Sequence, residues 1–312
     1  MTLQSAHKPD MTVFAVKTTG KFCQRNCKVL KIDDSEIFSS PKEALLWGFN
    51  PCPKCNPLIL KPNTPEYISH LMQLIITHPD QKIKEFQLRE MGIDPNKVRQ
   101  WFQHHHRLSF QDVSRLIRIN AKFGSFAYEE KATPVHPPKG TIYLTRFQTK
   151  IGPMMAAATD QGICMLEFME RRMLETQLHK IQSLYQATLQ PGHSPYFSQL
   201  IEELNQYFEG SHTTFSIPLD YKGTPFQEMV WRALMDIPYG KTSTYQNQAI
   251  TIGNPNAIRA VAKANGDNRI AILIPCHRVI GKNGDLIGYG GKIWRKEYLL
   301  KLEAGIMGDV IE

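Results

Sequence analysis

Four cysteines crowded into one short stretch constrain this chain more than any other feature. Cys23 and Cys27 are separated by three residues, 24 residues follow, and Cys52 and Cys55 are separated by two. That spacing supplies two close ligand pairs on separate turns, as one tetrahedral zinc ion requires. The stretch from Met11 to Pro57 offers a short apolar run at Val13 to Val16, a Thr-Thr-Gly turn and a helix expected from Ser40 to Gly48, which make a small core. A segment with so little apolar matter needs a metal to fold. A purely structural zinc ribbon and a redox pair are the alternatives that spacing alone leaves open.

At 312 residues the chain has room for two or three domains, and 42% apolar with 21% charged residues describes globular units. Lys and Arg outnumber Asp and Glu by 37 to 29; the net charge of +8 favours a polyanionic partner, nucleic acid first. No apolar run approaches the ~20 residues of a membrane span, and Met1 to Phe14 lacks a secretory stretch, so a cytosolic (cytoplasmic) protein with no membrane partner is expected. In that reducing compartment the six cysteines read as ligands, nucleophiles or core fillers, with Cys164 among the last.

After a linker expected over 57–63, Thr64, Pro65 and Glu66 open a helical region running to Phe126. Within it, Ile83, Phe86, Leu88 and Met91 precede the turn Gly92 to Pro95, and Val98, Trp101 and Phe102 mark one face of the next helix. Those are helix-turn-helix proportions, with Asn96, Lys97, Arg99, Gln100 and Gln103 offered to a DNA groove. The triplet His104, His105 and His106 reads as a solvated helix end.

Three prolines in residues 128–140 mark a second linker. Strands are expected at Thr141 to Phe147, Met154 to Ala158 and Ile163 to Phe168, with helices at Pro195 to Phe208, Phe226 to Met235, Thr244 to Ile252 and Pro255 to Ala264. Ile270 to Ile274 reads as a buried strand from which Cys276 emerges beside His277 and Arg278, with Pro275 holding Ile274 extended. From Lys263 to Lys296, seven basic side chains, Arg278 and Lys296 among them, face two acidic ones, leaving +5 of the chain's +8 where phosphate is expected.

The strings FAVKTTGKFCQRNC and GFNPCPKCNP resemble the N-terminal domain of the bacterial Ada adaptive-response proteins. The resemblance implies one Zn2+ held by Cys23, Cys27, Cys52 and Cys55, no diffusible cofactor, and methyl transfer from an Sp methylphosphotriester in DNA to Cys23. Two arginines of that family correspond here to Leu30 and Asn50; Lys17, Lys21, Arg25, Lys28 and Lys54 remain as basic residues of the segment. Zinc carrying four thiolates keeps sulfur ionised at neutral pH, and methylation would remove one negative charge from a DNA-facing surface.

The string PCHRV, with AIRAVAKANGDNRIAILI before it and IGYGGKIWRKEYLLKLE after it, resembles the O6-alkylguanine-DNA alkyltransferases over residues 141–305. On that match Cys276 is the acceptor nucleophile, His277 and Glu303 complete its relay, Asn268 braces the turn, and Tyr245 donates its hydroxyl to the leaving base. Tyr289 lines the base pocket, and Arg259 enters the stack where the nucleotide flips out; the local basic charge, apart from the match, adds Arg278 and Lys296 as expected DNA-binding residues.

The expected fold class is a multidomain α+β chain. It has a four-cysteine zinc domain (1–57), a shortened AraC-like helix-turn-helix segment (64–127), a linker (128–140), an α+β alkyltransferase N-terminal subdomain (141–222) and a mainly helical C-terminal subdomain (223–312). The implied activity is single-turnover transfer of a methyl group from O6-methylguanine, and less so O4-methylthymine, in double-stranded DNA to Cys276. Promoter DNA and RNA polymerase follow as partners of a monomeric Ada-type regulator. The rivals are an alkyltransferase whose zinc domain is only structural or DNA-binding, a binding-only regulator, and a cysteine hydrolase.

Overall fold

The computed structural model describes residues 11–59, 64–124 and 133–306. The linkers expected over 57–63 and 128–140 lie partly outside the described residues, as do both chain ends. The chain divides into two compact units between residues 126 and 127.

In the first unit, β1 (Val13–Val16) pairs antiparallel with β2 (Lys21–Cys23) and with β3 (Ser35–Phe38). Next come α1 (Pro41–Leu46) and β4 (Asn50–Pro51), which lies parallel to β2 and completes a sheet of order β3-β1-β2-β4. Helix α1 starts where expected because Ser40 accepts a hydrogen bond from Glu43 N and Pro41 fills the first position. Four helices follow: α2 (Glu66–Thr77), α3 (Glu85–Glu90), α4 (Pro95–His106) and α5 (Phe110–Phe123). Asp94 caps α4 and the Ser109–Asp112 capping box starts α5.

Helix α5 packs against α1 and β4, α2 and α4 pack against α5, and α3 packs against α4. Asn120 of α5, buried, donates through Nδ2 to Leu45 O at 2.9 Å and Phe49 O at 3.2 Å. His106, expected as a solvated helix end, is buried instead, with Nε2 hydrogen-bonded to Leu58 O at 2.9 Å; burial holds its imidazole down at about 4. Asn96, Lys97, Arg99, Gln100 and Gln103 are exposed along α4.

The second unit begins with β5 (Thr141–Thr149), β6 (Gly152–Ala158) and β7 (Ile163–Phe168), an antiparallel meander. Then come α6 (Leu174–Tyr185), β8 (Thr188–Pro191), which lies parallel to β5, and α7 (Pro195–Phe208), giving a sheet of order β7-β6-β5-β8. A mainly helical part follows: α8 (Pro225–Met235), β9 (Ser243–Thr244), α9 (Tyr245–Thr251), α10 (Ile258–Gly266), β10 (Val279–Ile280) and α11 (Ile293–Glu303). One apolar core joins both parts, running from Leu166 and Phe197 to Trp231, Val261 and Leu299. Trp231 Nε1 donates to Ala264 O at 2.9 Å, fixing α8 against α10. Among the described residues, no helix is long and apolar enough to cross a membrane.

The strand expected at Ile270 to Ile274 is a correction. Those five residues are all buried, but they form a tight turn in which Ile272 takes a φ of 72° and Ile274 N donates to Ile270 O at 3.0 Å. Only its start behaves like a strand: Leu166 N donates to Arg269 O and Ala271 N to Leu166 O, each at 2.8 Å. An apolar run signals burial without fixing backbone shape, and here the surrounding core imposes a left-handed residue.

Candidate active site and metal centre

Cys23 closes β2 and Cys52 follows β4, its amide donating to Phe22 O at 2.9 Å, so the pairing of these strands sets the two ligand pairs side by side. Cys27 and Cys55 sit on the following turns, with Cys27 N donating to Gln24 O at 3.0 Å and Asn56 N to Cys52 O at 2.9 Å. The four sulfurs lie within 4.8 Å of one another. Sulfurs about 2.3 Å from a tetrahedral zinc are about 3.8 Å apart, so four soft donors in this arrangement fit that ion with small adjustment.

Thiols this close compete for charge. Hydrogen bonding to Cys55, burial, and the charges of Cys52 and Cys55 push the Cys23 thiol up, while the hydrogen bond with Cys23 helps bring Cys55 down to about 5. A divalent cation lets all four ionise together. Cys23 is 1% exposed and Cys52 is buried, whereas Cys27 and Cys55 are partly exposed. The sulfur expected at a DNA-facing surface therefore lies on the inner side of the cluster. Lys17, Lys21, Arg25, Lys28 and Lys54 are all exposed.

In the second unit, Cys276 opens a single 3-10 turn, Cys276–Arg278, directly after the buried turn and Pro275. Asn268 sits just beyond α10. Its Oδ1 accepts from Ile270 N at 3.0 Å, and its Nδ2 donates to Ile274 O at 2.8 Å and to Cys276 Sγ at 3.3 Å. Burial pushes the Cys276 thiol up; the Asn268 donor and the Arg171 charge act the other way.

Glu303 ends α11. Its Oε1 accepts from His277 Nε2 at 2.8 Å, Tyr207 hydroxyl at 2.7 Å and Arg278 Nη2 at 3.0 Å; its Oε2 accepts from Arg278 Nε at 2.8 Å and Gly240 N at 3.2 Å. Burial alone would raise this carboxyl, but the hydrogen bonds from His277 and Arg278 and the adjoining positive charge bring it to about 2. Burial lowers the His277 imidazole in spite of Glu303. The ring is thus neutral, Nε2–H donates to the carboxylate, and the buried Nδ1, with no hydrogen-bond partner among the described residues, is an acceptor.

Two further tyrosines border the nucleophile. Tyr245 donates its hydroxyl to Ile287 O at 3.4 Å, and Gly288, at a φ of 68°, makes room: a Cβ there would lie 2.6 Å from that hydroxyl. The Tyr289 ring stands edge-on to Phe168 at 6.4 Å, and its buried hydroxyl has no hydrogen-bond partner among the described residues. Arg259 and Lys263 are exposed on α10. The structure thus gathers Asn268, Cys276, His277 and Glu303, sets Tyr245 and Tyr289 beside them, and leaves Arg259 on an outer helix face.

Arg278 and Lys296, expected to bind DNA, face inward. Arg278 grips Glu303 and donates through Nη1 to Ile237 O at 2.6 Å; Lys296 donates through Nζ to Val279 O and Ile287 O, each at 2.6 Å, and burial brings its ammonium down to about 8. Both side chains are buried and bonded to groups inside the protein, which corrects the expectation that they face DNA. Sequence reasoning also missed Tyr207, Gly240, Glu167 and Arg171. Of these only Glu167 left a signal, as the one charged residue of an apolar strand.

Comparison with known proteins follows the same division. Residues 4–57 match the metal binding domain of Ada, residues 142–221 the ribonuclease-like domain of 6-O-methylguanine DNA methyltransferase, and residues 225–305 its DNA binding domain. The chain is 31% identical over 326 aligned residues to the bifunctional transcriptional activator/DNA repair enzyme Ada of Escherichia coli, covering 94% of this chain and 91% of that protein. It is 44% identical over 162 residues to a methylated-DNA–protein-cysteine methyltransferase of Mycobacterium tuberculosis, covering 52% of this chain and 92% of the relative. A crystal structure of the Mycobacterium tuberculosis OGT in complex with DNA aligns with a TM-score of 0.46 at 43% identity, over 53% of this chain and 94% of that one.

Proposed function

The chain belongs to the Ada family of methylated-DNA–protein-cysteine methyltransferases, and on that footing we propose that Cys276 is the sulfur that removes methyl groups from O6 of guanine, and less readily O4 of thymine, in double-stranded DNA. The observation that carries this reading is the bonded series from Glu303 through His277, with the Asn268 amide held on Cys276 Sγ. A partly buried thiol whose proton is held more tightly than usual needs a base. His277 Nδ1, the free acceptor of a ring fixed by Glu303, takes the Cys276 proton through an intervening water.

The thiolate then attacks the methyl carbon. A carbon–sulfur bond forms, the carbon–O6 bond breaks, and its electron pair leaves with the base, which takes a proton from the Tyr245 hydroxyl. Arg259, presented by α10, fills the gap left by the flipped nucleotide, and Tyr289 lines the pocket that receives the base. The product is a thioether, which water does not cleave, so each molecule acts once. After incubation with O6-methylguanine duplex, mass spectrometry should find one methyl group on the tryptic peptide Ile270–Arg278, and none in Cys276→Ser. Continuing turnover, or methyl-free protein after lesion removal, overturns the assignment.

The same reading gives the four-cysteine cluster a second transfer, from a methylphosphotriester to Cys23. Zinc bound by Cys23, Cys27, Cys52 and Cys55 would keep the sulfurs ionised at neutral pH. The exposed lysines and arginine of this segment attract the phosphate backbone, and α4 with its exposed polar face supplies a second DNA contact. Methylation of the cluster then strengthens binding of the monomer to promoter DNA and recruits RNA polymerase in the cytosol. Because Cys23 is buried and Cys27 is more open, peptide mapping decides the acceptor: trypsin separates Phe22–Arg25 from Asn26–Lys28. Methyl on the first peptide supports Cys23, methyl on the second moves the role to Cys27, methyl on a peptide carrying Cys52 or Cys55 moves it there, and methyl on none of the four cysteines leaves a structural zinc site.

A further inference from the structure

Glu167 is 0% exposed and carries a carboxyl on a strand otherwise made of apolar residues. A charge in such a place is costly unless something answers it. Arg171, also buried, pairs with it. The guanidinium reaches further: Nη1 donates to Asn268 O at 2.8 Å and Nη2 to Gly266 O at 2.7 Å. Gly266 is the last residue of α10, and Asn268 is the residue whose amide touches Cys276 Sγ. One side chain therefore ties the end of β7 to the C-terminus of α10 and to the turn that aims the nucleophile.

The loop after Tyr289 closes over this tie, since a Cβ on Gly290 would lie 3.0 Å from Arg171 Cζ. Two buried polar atoms beside it, Glu167 Oε2 and the Tyr289 hydroxyl, have no hydrogen-bond partner among the described residues. The charges that act on Cys276 are Arg171 and Lys296, which favour its thiolate, and Glu167, which opposes it. Tyr245 and Tyr289 stand within reach of the same sulfur's charge, and neutral His277 is its chain neighbour.

We propose that Arg171, held in place by Glu167, is a positioning residue for alkyl transfer: it fixes the Asn268 turn and, through the Asn268 amide, keeps the Cys276 sulfur aligned with the incoming methyl carbon. The proposal rests on Cys276 being the acceptor. An ion pair that served only stability could be replaced by apolar side chains with transfer unchanged in the protein that still folds, because a buried pair and a well-packed apolar pair of similar volume are often close in stability. That difference gives the test.

Glu167→Gln, Arg171→Met and the double variant Glu167→Leu with Arg171→Met are compared with the unmodified full chain. Three quantities are measured: single-turnover methyl transfer from O6-methylguanine duplex, thermal unfolding, and the pH dependence of iodoacetamide labelling of the Ile270–Arg278 peptide. Arg171→Met should slow transfer by about 10- to 100-fold, the size expected when a reacting atom is misplaced by a fraction of an ångström to an ångström, and should raise the midpoint of thiol labelling. Glu167→Gln, which keeps an acceptor for Arg171 but not the charge, should lower that midpoint and slow transfer less than Arg171→Met. The double variant should stay folded, with its unfolding temperature lowered by the loss of the Arg171 donors to Gly266 O and Asn268 O, and should transfer as slowly as Arg171→Met. A folded double variant transferring at the wild-type rate, or labelling midpoints unmoved in both single variants, overturns the inference. Absence of transfer in the unmodified protein overturns the acceptor assignment itself, and the inference with it.

Discussion

His277 Nε2 lies 2.8 Å from Glu303 Oε1, and this single bond decides which edge of the imidazole can act as a base. With the carboxylate accepting at Nε2, the proton stays on that nitrogen and Nδ1 keeps its lone pair. Glu303→Gln breaks the rule, because an amide can present either N–H or C=O to the ring and no longer fixes the tautomer. Methyl transfer to Cys276 should fall by about 100-fold or more, the usual contribution of a positioned base. Stopped single-turnover assays with O6-methylguanine duplex measure it, and a rate within threefold of wild type would remove His277 and Glu303 from the chemistry.

Acid should unfold the second unit in a defined window. Glu303 is held at about 2 against an ordinary 4.5, so the unfolded chain binds a proton that the folded one refuses as pH falls. Its contribution is complete above about 4.5, shrinks as pH falls, and is lost near 2, on the order of 3 kcal/mol by linkage. His277 has the same sign: its lowered imidazole loses stability as pH falls below its ordinary 6.5. Glu167, raised by burial to about 7, has the opposite sign and weakens the fold as pH rises from its ordinary 4.5 through 7. Urea unfolding of wild type and Glu303→Gln between pH 2 and 7 isolates the first effect: the difference should be largest above about 4.5 and vanish near 2.

Features written locally in the chain were legible before the fold was known. The cysteine spacing puts each ligand pair on one short turn, although the pairing of β2 with β4 is what joins the two pairs, and Ser40 with Pro41, or Asp94 with Pro95, mark helix starts through bonds to their own neighbours. Cys276 and His277 stood out in the same way. What stayed hidden depends on partners far along the chain. Glu303 meets Tyr207 and Gly240 across 96 and 63 residues, and Arg171 meets Asn268 across 97. Counting Arg278 and Lys296 toward a DNA-binding charge assumed that basic side chains lie outside, and these two are held inside by a carboxylate and by backbone carbonyls. The apolar run 270–274 announced burial correctly and backbone shape wrongly, because Ile272 takes a left-handed conformation that no periodicity encodes.

Metal removal should affect the first unit beyond its cysteines. Asn120 and His106 dock helices α5 and α4 onto Leu45, Phe49 and Leu58, which belong to the cysteine-bearing segment. Chelation at neutral pH should therefore lower helical circular dichroism as well as free the four thiols, while methyl transfer to Cys276 continues. Asn120→Ala leaves two buried carbonyls without that donor and should cost about 1–3 kcal/mol. Less chelator should then be needed to melt the unit. Helicity unchanged after complete zinc release would show that the helices stand without the metal.

Arg259 offers the cleanest separation of flipping from chemistry, because it is exposed on α10 while the sulfur and its base are held by other elements. Exposed substitutions away from caps and networks change stability by less than about 0.5 kcal/mol, so Arg259→Ala should unfold at the wild-type temperature. If its side chain replaces the everted nucleotide in the stack, its loss returns part of the few kcal/mol that flipping requires, and repair of duplex should slow by about 10- to 100-fold. Free O6-methylguanine base needs no flipping and should react with wild type and Arg259→Ala equally. The ratio of the two rates is the measurement: an equal loss on duplex and free base would place Arg259 in the reaction chemistry, and no loss on either would make it an ordinary surface arginine.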